Sequence, residues 1–433
     1  MSNIIQLFLL VSLLCLSILF LFRVWYYIRH QNDVFNPISL FALGTIYLYL
    51  VPGVYLYISD DFVWLTEVSK RDFLTASLVV FLFFALVVSS FLRLPKVKIR
   101  GINFNISRSD SRFLFFAGLL WIALGLTGYL LYVWLNGGFV RLLTVNRALF
   151  QTVPNTQRYK ILAWVGLWGG LPLVVPSAHE LYENIDGRQR RLFIYFVSIL
   201  VLLVLVITFS FRGRLKAAYP MAYILLYLHY RIYKISFKQF GLIAALGAIS
   251  IGGFTFIEYI IGGGNASLRL IINGLIYRVR FEPLVAVITE ASIERPFQLG
   301  TTFINGGMWY DVGITPLGER IELIVTGEDL PGFTIGATVI AELYLNYGIV
   351  GVLLGAPIYG FLLKVIWSTL LESDNYIVKG IYPAMLFISL AIVPTSIGWV
   401  LRNFVMIVLP PIILTLAVRR VFSEDSSNSQ LPS

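Results

Sequence analysis

Apolar residues along this chain run together in stretches of about 18 or more, and the positive charge collects in the short gaps between them. A helix of that length covers the roughly 30 Å hydrocarbon core of a bilayer while satisfying its own backbone hydrogen bonds. About eleven spans are expected: 4–22, 38–57, 73–92, 113–135, 161–177, 192–210, 215–230, 240–257, 341–367, 380–396 and 404–417. The seventh is short, and the ninth is long and interrupted by glycines. The pattern predicts an all-α, polytopic integral membrane protein in which residues 1–418 form one transmembrane domain. A large late outer segment, 258–340, separates the eighth and ninth spans. A cytoplasmic tail, 419–433, reads as a disordered end at "SEDSSNSQLPS".

Composition agrees with the pattern. Of 433 residues, 58% are hydrophobic and 13% charged, and mean hydropathy is +0.82, whereas a soluble domain is about half apolar and about a quarter charged. The single cysteine, Cys15, lies inside the first apolar run, which excludes disulfides and thiolate metal sites within the chain. No Lys or Arg precedes that run, and Leu14 is too large for a lipoprotein signal, so the first segment is expected to be a retained anchor. The absence of a Walker loop and of a dinucleotide fingerprint excludes an ATP-driven pump.

Net charge is +10, from 33 Lys and Arg against 23 Asp and Glu. Its placement decides what it means. The gap 93–112 holds Arg93, Lys96, Lys98, Arg100, Arg108 and Arg112 against Asp110 alone, so it belongs in the cytoplasm. Alternation then puts the amino terminus outside and the carboxyl terminus inside. Three outer segments break the rule. The first, "LNGGFVRLLTVNRALFQTVPNTQRYK", holds Arg141, Arg147, Arg158 and Lys160 with no acid. The second, "SFRGRLKAAYP", holds Arg212, Arg214 and Lys216. The third, "NASLRLIINGLIYRVRF", holds Arg269, Arg278 and Arg280. Single arginines of this kind snorkel at helix ends or pair with lipid phosphate. Three such segments on one side point instead to an outward-facing anion site, because the guanidinium fork suits bidentate phosphate contacts. Phosphate or pyrophosphate is the expected occupant, and nucleic acid is not an expected partner.

The end of the outer segment and the start of the ninth span read "GATVIAELYLNYGIVG". Here Glu342, Tyr344, Asn346, Tyr347, Gly348 and Gly351 resemble the Glu-x-Tyr-x-Asn-aromatic-Gly-x-x-Gly signature of the Wzy-type oligosaccharide repeat-unit (O-antigen) polymerases. The number of spans and the single large late outer loop are similar to that family as well. The resemblance implies a GT-C-like, inverting, metal-independent glycosyltransferase of the bacterial inner membrane, working on its periplasmic side without a cofactor. Its partners would be undecaprenyl-pyrophosphate-linked oligosaccharides, the bilayer and a chain-length regulator.

Such a transfer needs its pyrophosphate leaving group stabilised and its attacking hydroxyl deprotonated. Arg212 and Arg214, flanking Gly213, are the first candidates for the pyrophosphate, followed by Arg141, Arg147, Arg278 and Arg280. Glu342, near the start of a membrane helix, and Asp311 are the candidate bases, although an acid in a first turn is also ordinary dipole stabilisation. Trp309, Tyr344 and Asn346 are candidates for holding sugar. Asn346, Gly348 and Gly351 also read as residues that let the broken ninth helix pack closely.

His30, His179 and His229 all fall on the cytoplasmic side of this topology, which weighs against an O-antigen ligase with an outer-loop histidine. A flippase or transporter of lipid-linked saccharides also needs basic residues. It would be expected to show repeated halves and charges lining a path, and the chain has neither. A membrane scaffold without chemistry leaves the acid-free outer segments without a cause.

Overall fold

The computed structural model describes residues 3–31, 33–59, 68–95, 108–139, 141, 156–183, 187–210, 214–243, 245, 281–291, 302, 338–373, 376–391 and 395–428. Regular structure among them is helical. In chain order the main helices are α1 Asn3–Gln31, α2 Pro37–Thr45, α3 Val51–Ser59, α4 Lys70–Arg93, α5 Arg108–Leu135, α6 Thr156–Glu183 and α7 Gly187–Ser210. They continue with α8 Arg214–Tyr227, α9 Phe281–Ala291, α10 Val339–Glu372, α11 Tyr376–Leu390, α12 Ile397–Asn403 and α13 Leu409–Asn428. A π-helical turn, Ile46–Leu50, joins α2 to α3; Leu228–Ile232 extends α8, and Phe404–Val408 joins α12 to α13.

Among the described residues, seven helices are long and apolar enough to cross a membrane: Pro37–Tyr57, Lys70–Arg93, Asp110–Leu135, Arg158–Glu183, Gln189–Thr208, Val339–Thr369 and Ile397–Val418. Helices α1, α8 and α11 lie on the first, seventh and tenth expected spans. The eighth, 240–257, falls mostly outside the described residues. One expectation is corrected: α13 continues to Asn428, through most of the tail that reads as disordered. No Gly or Pro lies between Pro411 and Pro432 to stop it.

The chain divides into two compact units. Unit 1 comprises Met1–Val97, Ile235–Trp367 and Ser389–Arg402. Its helix α2 starts at Asn36, whose Oδ1 accepts the Ser39 amide at 3.0 Å, with Pro37 in the first helical position. The core is aromatic: Phe41 stacks on Phe84 at 5.9 Å and Phe83 on Tyr359 at 6.2 Å, each such pair adding about 0.5–1.5 kcal/mol beyond its burial. Tyr359 is held at its far end, donating to the Ser389 carbonyl at 3.0 Å. Gly360 brings α10 onto α4, since a Cβ there would lie 2.6 Å from the Val87 carbonyl oxygen.

Unit 2 comprises Lys98–Lys234, Ser368–Ile388 and Asn403–Ser433. Its centre is the antiparallel pair α5 and α6, which meet through glycine. A Cβ on Gly166 would sit 2.4 Å from Gly125 Cα, and one on Gly128 would sit 2.9 Å from the Ala163 amide nitrogen. Small residues let the two backbones touch, and packing substitutes for the hydrophobic effect that lipid does not supply. Trp121 fixes the register by donating to the Val165 carbonyl at 3.0 Å. Helix α8 packs on the same core, with Tyr219 stacked on Trp168 at 4.4 Å and Tyr223 donating to the Gly380 carbonyl at 2.9 Å.

Candidate functional site

In unit 1 the polymerase-like motif forms the first turns of α10. Thr338 begins that helix, its Oγ1 accepting the Ala341 amide at 3.2 Å and its carbonyl accepting the Glu342 amide at 2.9 Å. Glu342 is fully buried. Its Oε2 accepts the amide of Ile397 at 2.5 Å, and its Oε1 accepts the Thr302 hydroxyl at 3.3 Å. Ile397 is the first residue of α12, whose turn is closed by Ser396 Oγ accepting the Trp399 amide at 3.1 Å. One carboxylate therefore lies at the starts of two helices, where both dipoles favour negative charge. This is the dipole role expected for an acid in a first turn, doubled by a second helix.

Asn346, one turn further on, is also fully buried. Its amide donates to Thr302 Oγ1 at 2.5 Å and to the Glu342 carbonyl at 2.7 Å. Glu342, Asn346 and Thr302 thus form one polar knot inside an apolar unit. Two residues later the helix breaks: Gly348 has φ +60° and ψ −148°, a conformation essentially reserved for glycine. Gly351 makes room for the bent turn, because a Cβ there would lie 2.4 Å from the Leu343 carbonyl oxygen. The motif is a structural unit: an acid and an amide facing inward, a backbone break, and a glycine that admits it.

Tyr344 is half-buried on another face of the same turn. It lies within electrostatic reach of Asp72 in the first turn of α4. Asp72 Oδ2 accepts the Ser69 hydroxyl at 2.7 Å and lies 3.4 Å from the Thr289 hydroxyl of α9. Sequence reasoning did not single out Thr302, Asp72 or Thr289. Thr302 and Thr289 carry no local signal, and Asp72 is an ordinary first-turn acid behind the Ser69 cap.

In unit 2 the end of α5 is set by "NGG". The Gly138 amide returns to the Val133 carbonyl at 2.9 Å and the Gly137 amide to the Trp134 carbonyl at 3.0 Å, with φ +82° at Gly137, a Schellman motif. Arg141 is exposed and folds back over Gly137, where a Cβ would lie 2.8 Å from its Cδ. At the same end, Tyr129 of α5 shares a 2.8 Å hydrogen bond with Ser210, the last residue of α7. Arg214 opens α8 four residues later. The described parts of two of the three acid-free basic segments, Arg141 in one and Ser210 with the start of α8 in the other, therefore lie toward one end of unit 2. Of the other expected site residues, Arg147, Arg212, Arg278, Arg280, Trp309 and Asp311 lie outside the described residues.

The family model described as O-antigen polysaccharide polymerase Wzy matches residues 275–425. That stretch contains α9, α10, α11 and α12 with the whole Glu342–Thr302–Asn346 knot. No curated protein and no solved structure matches the chain. Over residues 275–425 the chain is thus similar to the Wzy-type O-antigen polysaccharide polymerases, the family its Glu342-to-Gly351 motif resembles.

Proposed function

We propose that the protein transfers a growing glycan from undecaprenyl pyrophosphate onto the non-reducing end of the next lipid-linked repeat unit, at the periplasmic face of the bacterial inner membrane. The observation that carries this reading is the family motif itself, folded inside the matched segment as a buried carboxylate knot around a glycine break. Residues 1–418 act as one GT-C-like membrane domain, with 258–340 on the outside and 419–433 in the cytoplasm.

In the proposed step, the acceptor hydroxyl attacks the anomeric carbon, its proton passes to a carboxylate, and the bond to pyrophosphate breaks with its electron pair leaving on the phosphate oxygen. Single displacement inverts the anomeric centre. Guanidinium groups of Arg212, Arg214, Arg141, Arg147, Arg278 and Arg280 neutralise the departing charge without requiring a metal. Glu342 and Asp311 are the proposed proton acceptors, and Trp309, Tyr344 and Asn346 hold sugar. A chain-length regulator is the proposed protein partner.

The test is purified protein supplied with a defined undecaprenyl-pyrophosphate-linked repeat unit, with the products sized on a gel. A ladder of multiples supports the reading, and unchanged single units overturn it. In cells, Arg212→Ala or Arg214→Ala is expected to abolish polymer while single repeat units still reach the surface. Failure of the units to cross favours a transporter.

A further inference from the structure

We infer that unit 1 holds one acyl chain of an anionic phospholipid in the slot between α1, α4 and the α2–α3 rod, with the headgroup over Lys70. The inference goes beyond the polymerase reading and does not depend on it.

The slot has about 630 Å³ of empty space, part of it open to the outside of the unit. One wall is a single face of α4. Phe73, Ser77, Phe81 and Phe84 line it at three- and four-residue spacing, which keeps them in one row down the helix. The facing wall is the π-helical turn and its flanks, with Thr45, Tyr49 and Gly53 about one turn apart. Turns of this kind are rare and are frequent at functional sites. α1 adds Leu21, and Phe281 of α9 covers the end at Gly53, where a Cβ would lie 3.5 Å from its ring.

The chemistry of the walls selects hydrocarbon. Ser77 donates its hydroxyl to the Phe73 carbonyl at 3.0 Å, and Thr45 donates to the Phe41 carbonyl at 2.9 Å. These hydroxyls are spent within their own helices, and most of the lining is aliphatic and aromatic carbon. Such a cavity stays dry and offers a sugar little to bind. A lipid tail is the filler that the bilayer supplies.

Length and charge then choose the tail. Phe73 to Phe84 is about 16 Å of helix, the depth of one leaflet of a roughly 30 Å hydrocarbon core. The far end is closed by rings: Phe84 stacks on Phe41 at 5.9 Å and meets Phe20 of α1 edge-on at 6.2 Å. A one-leaflet acyl chain fits that depth, whereas a prenyl carrier several times longer runs out of slot. Lys70 stands three residues before Phe73, exposed, at the head of the same row and at the first position of α4. A cation at a helix amino end opposes the dipole, and an anion above it relieves both. The carboxylate of that turn, Asp72, is engaged with Ser69 and Thr289, whose hydroxyls lie 2.7 and 3.4 Å from its Oδ2. Anionic headgroups are drawn to a basic residue placed in this way.

Full-length protein in detergent is given phosphatidylglycerol with a photoreactive diazirine either near the carbonyl or near the end of one acyl chain, and crosslinked peptides are mapped by mass spectrometry. The first probe is expected to label around Gly53 and Phe73, and the second around Leu21, Phe81 and Phe84. Labels spread evenly over outward-facing residues such as Ile199 and Leu202 of α7 would overturn the proposal. Ser77→Leu, which puts a side chain into the slot, is expected to cut slot labelling at least about tenfold while the lipid-free thermal midpoint holds or rises. Lys70→Gln is expected to cut it about fivefold, the pull of one surface lysine on an anionic headgroup. Should Ser77→Leu lower the midpoint, Lys70→Gln, at an exposed position, decides alone. Unchanged labelling in Lys70→Gln would overturn the proposal. So would competition by unlabelled phosphatidylcholine equal to that by phosphatidylglycerol, which removes the headgroup contact, or stronger competition by undecaprenyl phosphate, which gives the slot to the prenyl carrier.

Discussion

Gly348 and Gly44 are both glycines in unit 1, and the structure predicts opposite consequences for replacing them. At Gly348, φ +60° and ψ −148° cost a residue with a Cβ about 1–3 kcal/mol. Gly348→Ala is therefore expected to lower the thermal midpoint in detergent. Gly44 is in α2 with nothing within 4 Å of a built Cβ, so Gly44→Ala is expected to hold or raise the midpoint, through up to about 1 kcal/mol of added stability. A second pair of variants separates chemistry from packing in the motif. Thr302→Val removes one hydroxyl from the knot and leaves Glu342 its amide contact with Ile397, so a loss of about 1–3 kcal/mol in stability is expected. Glu342→Gln keeps an oxygen that can accept the Ile397 amide but removes the carboxylate. If Glu342 is the base, turnover falls about a hundredfold or more with little change in the melt. Polymer formation equal to the native chain's would leave Glu342 only the task of joining α10 to α12.

Among the helices, the α5 and α6 pair depends most on a single missing atom. Gly166→Ala puts a methyl group 2.4 Å from Gly125 Cα and Gly125 N, backbone atoms that have no rotamer to yield. The two helices must part, at a cost of about 1–3 kcal/mol or more, and a lower melting temperature or loss of folded yield in detergent checks it. Much of the helical layout was legible beforehand because hydropathy in a membrane chain is a local property: most expected spans lie on helices, and the break in the ninth falls at one of its own glycines, Gly348. What could not be read was long-range. Nothing near Thr302 marks it as a partner for Glu342 forty residues on, and nothing near Ser210 marks it as a partner for Tyr129. Lys160 was visible as a charge in an acid-free segment, but its burial between Tyr132 and Trp164 depends on the helix pairing. The tail was misread because polar composition was weighed above the lack of any helix breaker before Pro432.

Across the chain as a whole, the orientation proposed from the Lys and Arg count can be tested with unusual economy, because Cys15 is the only cysteine. Cys15→Ser yields a cysteine-free background, and that change falls at an exposed position. Into it one cysteine is placed at Phe139 or at Tyr233, both exposed large side chains. Phe139 follows α5, whose opening Arg108 belongs to the strongly basic gap that the positive-inside rule assigns to the cytoplasm. One crossing later, Phe139→Cys is expected to react with a membrane-impermeant maleimide on intact cells whose outer membrane alone is opened. Tyr233 follows α8 and its π-helical extension, beside Arg231 and Lys234, and Tyr233→Cys is expected to react only after the inner membrane is lysed. A reporter fused after Arg108 is expected to be active only in the cytoplasm. The reverse labelling pattern would carry Arg141, Lys160 and Arg214 to the cytoplasmic side. The arginines proposed to hold pyrophosphate would then face the cytoplasm and not the periplasmic side proposed for the transfer, so the same experiment tests the orientation and the chemistry assigned to it.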